Sequence, residues 1–335
     1  GGGGGEAGAE GKRAGGADVS PSRALSQTEP DPPSVGVWSL QCKRGQHDNE
    51  DRARCVLGMP SPAGPVDFFS VLDGHGGGDC ATFCQEKLHT YIAETGAWAR
   101  GDFRAALLDG VAACEKAFMA TGMDSGSCIV VALLVGGGIG VGGKPGQERT
   151  LYVANCGDCR AILCSLDGKR VRAVTKDHKP ADPDEKQRVE DAGGLIFGGR
   201  LFGIIAVARS LGDAQLKGDG PGGTALSPVP DVFVETISPD GSAGDAVLVM
   251  ACDGVWDELT NEAVASKAAT GLQKGAKRAA RKLASVREAG DAESARVRDP
   301  GAHLAARRVV SDAAQTGFDD CTAVVVPLVR PRAEL

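Results

Sequence analysis

No apolar run in the sequence is long enough to cross a membrane. One of its apolar stretches, CIVVALLV at 128–135, falls well short of the roughly 20 residues a spanning helix needs. An excess of positive charge is also missing: 37 Lys and Arg stand against 44 Asp and Glu, for a net charge of -7. That balance argues against nucleic acid or an anionic membrane surface as the main partner, and fits an acidic site that collects cations. No secretory signal segment is visible, and the 11 cysteines are an odd number. They are therefore read as reduced thiols of the cytosol or nucleus, not as a disulfide framework. The chain opens on Gly1 rather than Met, so targeting is not read from that end. A monomer is expected.

Large apolar residues are nearly absent from the first 34 positions, which are Gly, Ala, Ser, Pro and charge. Such a segment cannot bury enough surface to offset its ordering entropy, and disorder is expected over 1–34. The folded domain is expected over 35–330, with a short tail at 331–335. Hydrophobic residues make up 42% of the chain, enough for a sizeable core.

Short Val-, Ile- and Leu-rich runs bounded by Gly or Asp predict buried strands at 67–73, 128–135, 151–155, 160–164, 246–251 and 323–328. RAILC and VRAVT are joined through Asp167-Gly168, a hairpin signal. Cys84, Leu88, Tyr91 and Ile92 fall at helical spacing, as do Phe103, Leu107, Val111, Cys114 and Phe118 behind Asp102 as N-cap. A third helix is expected from Asp182 as N-cap and Pro183 to a stop at Gly193-Gly194. Residues 261–315 read as helical with a polar break near 288–300, and 136–148 as a flexible hairpin insertion. A regular βαβ repeat is absent, so the class is α+β with layered sheets and helices.

Acids recur where strands end. VLDGHGG (71–77) and VLVMACDGVWD (247–257) both run a buried strand into Asp-Gly; Asp319-Asp320 precede CTAVVVPL, Glu50-Asp51 precede RARCVL, and Asp158 follows LYVAN. One Asp at a strand end is an ordinary turn residue or cap, and that reading stays open for each. Strand ends of one sheet meet in space, however, and converging carboxylates repel unless cations bind them. Oxygen ligands select Mg²⁺ or Mn²⁺ over Zn²⁺. Two such ions activate a water and clamp a phosphoryl oxygen, with His75 placed to protonate the leaving oxygen.

Eight segments in order carry a resemblance: NEDR (49–52), VLDGHGG (71–77), SGSCIV (125–130), LYVANCGDCRAIL (151–163), VTKDHKPADPDEKQRVEDAGG (174–194), RLFGIIAVARSLGD (200–213), VLVMACDGVWDEL (247–259) and FDDCTAVVV (318–326). Together they resemble the metal-dependent serine/threonine protein phosphatases of type 2C. The resemblance implies a four-layer αββα sandwich, two antiparallel sheets flanked by antiparallel helix pairs, with Mg²⁺ or Mn²⁺ at one end. Asp73 matches the acid that bridges two metals and Gly74 the carbonyl ligand. Asp253 and Asp319 match acids on the first metal, Glu50 an acid on the second, and Asp51 the acid that holds its waters. Asp158 matches a ligand of a weaker third metal, and His75 the general acid. Phosphorylated proteins are the implied substrates, attacked in line by a metal-bridging water with no phospho-enzyme.

Departures bear on activity. An Arg that grips substrate phosphate in the family is Gln46 here; Arg44 reaches in only if the loop is rearranged. Cys128 replaces a common Thr, Asp320 replaces the usual Asn, and the flap after Gly194 is short. The alternative these changes support is a binding protein on a phosphatase fold with weakened or lost catalysis. Other motifs read as structural. CSLDGKR (164–170) has Cys–Arg spacing but sits on a hairpin; GIGVGGKP (138–145) has Pro145 where a phosphate loop needs Ser or Thr; and CGDC (156–159) lacks a second Cys pair for zinc. His178, Arg209 and Trp256 are assigned to a turn, a polar network and the core, and 274–282 to a solvated helix face.

Overall fold

The computed structural model describes residue 1 and residues 35–41, 48–137, 148–217, 224–239, 245–288 and 300–329, the last turn of the long helix (282–288) by its backbone alone. Residues 2–34 of the segment expected to be disordered, residues 138–147 of the insertion expected over 136–148, and both phosphate-grip candidates, Arg44 and Gln46, lie outside the described residues.

In chain order the strands are β1 (Gly36–Leu40), β2 (Arg52–Met59), β3 (Val66–His75), β4 (Gly126–Val135), β5 (Arg149–Cys156), β6 (Arg160–Cys164), β7 (Val171–Ala173), β8 (Ile196–Phe197), β9 (Arg200–Leu201), β10 (Leu211–Gly212), β11 (Asp231–Ile237), β12 (Val247–Ala251) and β13 (Cys321–Pro327). The helices are α1 (Asp79–Ala93), α2 (Gly96–Ala99), α3 (Phe103–Met119), α4 (Pro183–Asp191), α5 (Asp253–Trp256), α6 (Asn261–Glu288) and α7 (Gly301–Ala313). One sheet runs β1-β13-β12-β6-β7 and the other β11-β5-β4-β3-β2, with β10 on β4. Every pairing within these sheets is antiparallel. The α+β class and the two flanked sheets are as expected.

Side-chain alternation along a strand divides the core. On β4, Cys128, Val130, Ala132 and Leu134 join the core between the sheets, while Ile129, Val131 and Leu133 pack against α1 and α3. On β3, Phe69 and Val71 face the other sheet, and Phe68 and Leu72 face the helices. Each such buried side chain contributes about 1.5–3 kcal/mol. The same parity that sends Phe69 and Val71 inward sends Asp73, two residues on, toward the space between the sheets.

Helix limits follow local chemistry. The Asp102 carboxylate accepts from the Ala105 N–H and starts α3; Asp182 accepts from Asp184 N–H, with Pro183 next, and starts α4. Gly193, at φ 77°, ends α4. The 165–170 turn closes the β6–β7 hairpin, with Ser165 and Arg170 bonded across it, and this confirms the structural reading of CSLDGKR. Five strands lacked an expectation from sequence: β1, the two-residue strands β8, β9 and β10, and the edge strand β11, buried only at Val232 and Ile237.

Small residues let α6 and α7 touch backbone to backbone. A Cβ on Gly271 would lie 2.3 Å from Ala305 Cα, and one on Gly275 would lie 2.1 Å from Gly301 Cα. The register, 271 against 305 and 275 against 301, makes the pair antiparallel. Helix propensity alone says Gly271→Ala should stabilise by about 1 kcal/mol; the clash says it destabilises by roughly 1–3 kcal/mol, and backbone atoms cannot swing aside. We expect a lower urea midpoint for Gly271→Ala. A midpoint at or above wild type would contradict this packing.

Candidate metal centre

Five chain segments end at one edge of the sandwich. Asp73 and Gly74 are near the end of β3, and Asp51 directly precedes β2, whose Arg52 pairs with Leu72. Asp253 follows β12, and Asp319 and Asp320 precede β13, its antiparallel neighbour. Asp158 lies in the crossing from β5 in one sheet to β6 in the other. Registers set by apolar strands therefore decide where the acids meet.

Two triads of possible ligand atoms share Asp73: Asp51, Asp73 and Cys252, and Asp73, Asp158 and Asp253, with atoms in each triad within 4.8 Å of one another. The Asp253 N–H points to Asp73 Oδ2 at 3.4 Å. Glu50 and Asp319 belong to neither triad. Asp319 is close enough for its charge to act on Asp73 and Asp253. The Glu50 N–H donates to Asp320 Oδ2 at 2.9 Å, so the unusual acid at 320 fastens the Glu50 loop. Gly74 has to be glycine for the same reason: a Cβ there would sit 2.5 Å from the Glu50 carbonyl oxygen. Arg52 ties the loop further, donating to the Asn49 and Asp51 carbonyls at 2.7 and 2.8 Å.

The electrostatics are those of charges held together out of water. Burial, then the charges of Asp253, Asp51, Asp158 and Asp319, push the Asp73 carboxyl well above the usual carboxylate range. Burial raises Asp51 to about 7, against hydrogen bonds from Cys252 and Thr322 and with the charges of Asp320 and Asp319 adding to the rise. Burial and the Asp158 and Asp319 charges raise Asp253 to about 8. Asp51 Oδ2 is buried without a hydrogen-bond partner. An orphaned carboxylate oxygen among acids that resist ionisation fits a divalent cation. Burial opposes the Lys179 ammonium, yet Asp158, bonded to it, outweighs burial and holds it charged.

His75 ends β3 opposite Gly126. Its Nε2 lies 2.9 Å from both oxygens of Asp213. Neither Asp213 nor Lys179 nor Cys252 was singled out from sequence. The signals available were an acid after Gly in SLGD, the Lys in DHKP, and a thiol next to a strand-end Asp. Cys128, the residue replacing Thr, is the register partner of Asp73; burial and the Asp158 and Asp73 charges keep its thiol protonated. A depression of about 390 Å³ is lined by Arg160, Trp256, Asp257 and Asn261 among others.

The structural assignments agree with the sequence. His178 is buried: Nδ1 accepts from the Gly157 N–H at 3.1 Å and Nε2 donates to Asp231 at 3.1 Å. Arg209 binds Glu185 and Asp231. Trp256 is buried, its indole N–H on the Ala251 carbonyl. Both thiols of CGDC are buried, and burial drives Cys156 up to about 12.

Comparison with known proteins gives the family. The family model "Protein phosphatase 2C" matches residues 35–295. The chain belongs to the protein phosphatase 2C family. Among relatives, "Protein phosphatase 1A" of Mus musculus is 34% identical over 238 residues, 68% of this chain and 59% of that protein. "Probable protein phosphatase 2C 6" of Oryza sativa subsp. japonica is 33% identical over 278 residues, 78% of this chain and 55% of that protein. The chain thus spans about half the length of the curated relatives it matches. A crystal structure of a phosphatase from Toxoplasma gondii shares the fold, with a TM-score of 0.66 at 19% identity over 91% of this chain and 96% of that one.

Family membership and the raised carboxyls give one expectation for stability. A carboxyl whose folded pKa is raised contributes stability below its unfolded value near 3.8, and that contribution is lost as pH rises through the folded value. With Asp51 at about 7 and Asp253 at about 8, the metal-free protein loses stability between about pH 5 and 8.5. Thermal unfolding in chelator should show the midpoint falling across that window. Saturating Mn²⁺ should raise the midpoint more at pH 8 than at pH 5.5. A metal-free midpoint that rises with pH over this range would contradict the account.

Proposed function

We propose that this chain is a metal-dependent protein phosphatase that hydrolyses phosphoserine and phosphothreonine. One observation carries the reading: Asp73 is common to two ligand triads of buried and half-buried residues in a chain of the protein phosphatase 2C family. A phosphate dianion would be repelled by the bare acid cluster, so productive binding requires cations to reverse its sign. When bound, Mg²⁺ or Mn²⁺ supplies Lewis acidity and a water that ionises near neutral pH.

The chain's own residues divide the remaining work. Asp73, Asp253, Asp158 and Asp51 hold the cations, with Asp319, Glu50 and the Gly74 carbonyl alongside. Lys179 neutralises Asp158 and limits net charge at that side. His75, with its side chain 32% exposed, is the group at the edge of the cluster that gives a proton to the departing Ser or Thr oxygen. Phosphorylated proteins are the substrates we assign, and the family's many protein phosphatases support that class over small phosphoesters. Among the described residues every cysteine is a free thiol, which fits the reducing cytosol or nucleus. No helix among them is long and apolar enough to cross a membrane.

The test is release of phosphate from a phosphothreonine peptide with Mn²⁺ or Mg²⁺, with and without chelator. Wild type should be active only with metal, and Asp73→Asn should abolish turnover. Equal turnover in the two proteins, or none from folded wild type supplied with metal, would overturn the proposal.

A further inference from the structure

Asp213 sits where no catalytic role was read from sequence, yet much of its surroundings serves to aim it. It belongs to a loop anchored on both sides. The Gly212 N–H donates to Glu115 Oε2 at 2.8 Å, and Lys217 Nζ bridges Glu115 Oε1 at 2.8 Å and the Ser210 carbonyl at 2.6 Å. The Asp213 N–H is bonded to the Ser125 carbonyl at 3.0 Å. Asp213 itself takes the left-handed conformation, φ 56°, which is unfavourable for a residue with a side chain and is held here by its surroundings. The Ser210 hydroxyl donates to Asp213 Oδ2 at 2.5 Å.

Space for the carboxylate–imidazole contact is kept open by a missing side chain. A Cβ on Gly126 would fall 2.2 Å from His75 Nε2 and 2.3 Å from Asp213 Oδ2. The two partners come from segments 138 residues apart. Asp213 is 10% exposed at its side chain, His75 32%, so the acid is the buried, fixed member and the ring the member that reaches solvent.

We propose that Asp213 is a positioning residue for His75. Its carboxylate accepts a hydrogen bond from the Nε2–H, fixes the ring plane and leaves Nδ1 as the nitrogen that serves the leaving group. The inference rests on the phosphatase reading above and adds to it. As the P–O bond to serine or threonine breaks, the imidazolium gives its Nδ1 proton to that oxygen. Its Nε2 proton stays on the Asp213 side, and solvent returns a proton to Nδ1 before the next turnover. This is the orienting logic of a carboxylate behind a histidine, applied to an acid instead of a base.

The experiment compares wild type, Asp213→Asn, His75→Gln and the double variant on two substrates with Mn²⁺. A phosphothreonine peptide has a leaving oxygen that needs a proton; nitrophenyl phosphate has one that does not. Asp213→Asn should lower kcat for the peptide roughly tenfold to a hundredfold, less than the roughly 10²–10⁴ that a general acid itself supplies, with KM little changed. The ratio of peptide to nitrophenyl phosphate turnover should fall by a similar factor. In the double variant the peptide kcat should be no lower than in His75→Gln alone, since the two act as one unit. Nitrogen-15 NMR of the His75 ring gives a readout independent of turnover: the Nε2–H tautomer in wild type and a mixture in Asp213→Asn. Ser210→Ala, which keeps the carboxylate but removes the hydroxyl that steadies it, should shift the substrate ratio in the same direction, so a folding defect in one variant does not decide the matter.

Equal losses on both substrates, additive losses in the double variant, or an unchanged tautomer would overturn the positioning role while leaving the phosphatase reading intact. Wild type inactive on both substrates would overturn the phosphatase reading and this role with it.

Discussion

Carboxylates that face one another in a buried space repel, and this repulsion is the constraint around which the rest of the structure is arranged. Asp73 feels burial and four neighbouring acids at once. Among the described residues no cationic side chain belongs to either triad; Lys179 is bonded to Asp158 at their edge, and its charge also acts on Asp253. Left bare, the cluster must hold protons at neutral pH, at a cost to stability that grows as pH rises. A divalent ion removes that cost and takes up the orphaned Asp51 oxygen. On the proposed reading, the same arrangement that is unfavourable alone would become a site for a phosphate dianion once cations reverse its sign. Stability, metal binding and function are thereby three views of one electrostatic fact.

Only a stiff frame keeps such charges together. The frame is the double sheet, whose inward faces carry Phe69, Val71, Val130 and their partners, with helix pairs closing the outer faces. Close backbone approaches finish it at the site. Gly74 meets the Glu50 carbonyl, and Gly254, just after Asp253, would carry a Cβ only 2.1 Å from the Asp320 carbonyl oxygen. These contacts lock the loops that deliver Glu50 and Asp319 to the ends of strands that deliver Asp73 and Asp253. His75 is fixed by a second device on the rim, the Asp213 loop.

Much of this was legible in the sequence, for physical reasons that differ by residue. Buried strands such as VLVMA announce themselves by composition, and an acid directly after one must lie at a sheet end. Period-two alternation then says which face Asp73 takes. The caps at Asp102 and Asp182 are local chemistry and were legible for that reason. What stayed hidden depends on contacts between distant segments. Nothing local to SLGD tells that Asp213 crosses 138 residues to meet His75, and nothing in DHKP tells that Lys179 neutralises Asp158. Edge strand β11, buried only at Val232 and Ile237, lacks the long apolar run that marked the central strands. Cys252 was passed over because a thiol beside an Asp reads as core.

The most direct test of the account is to count and characterise the ions. Mn²⁺ titrated into metal-free protein and followed by electron paramagnetic resonance should show at least two bound ions, with the spin coupling expected of ions that share a carboxylate. Asp73→Asn should abolish that coupled signal. A single uncoupled Mn²⁺, or the same coupled pair in the Asp73→Asn protein, would contradict the claim that Asp73 holds two cations at the end of the sandwich.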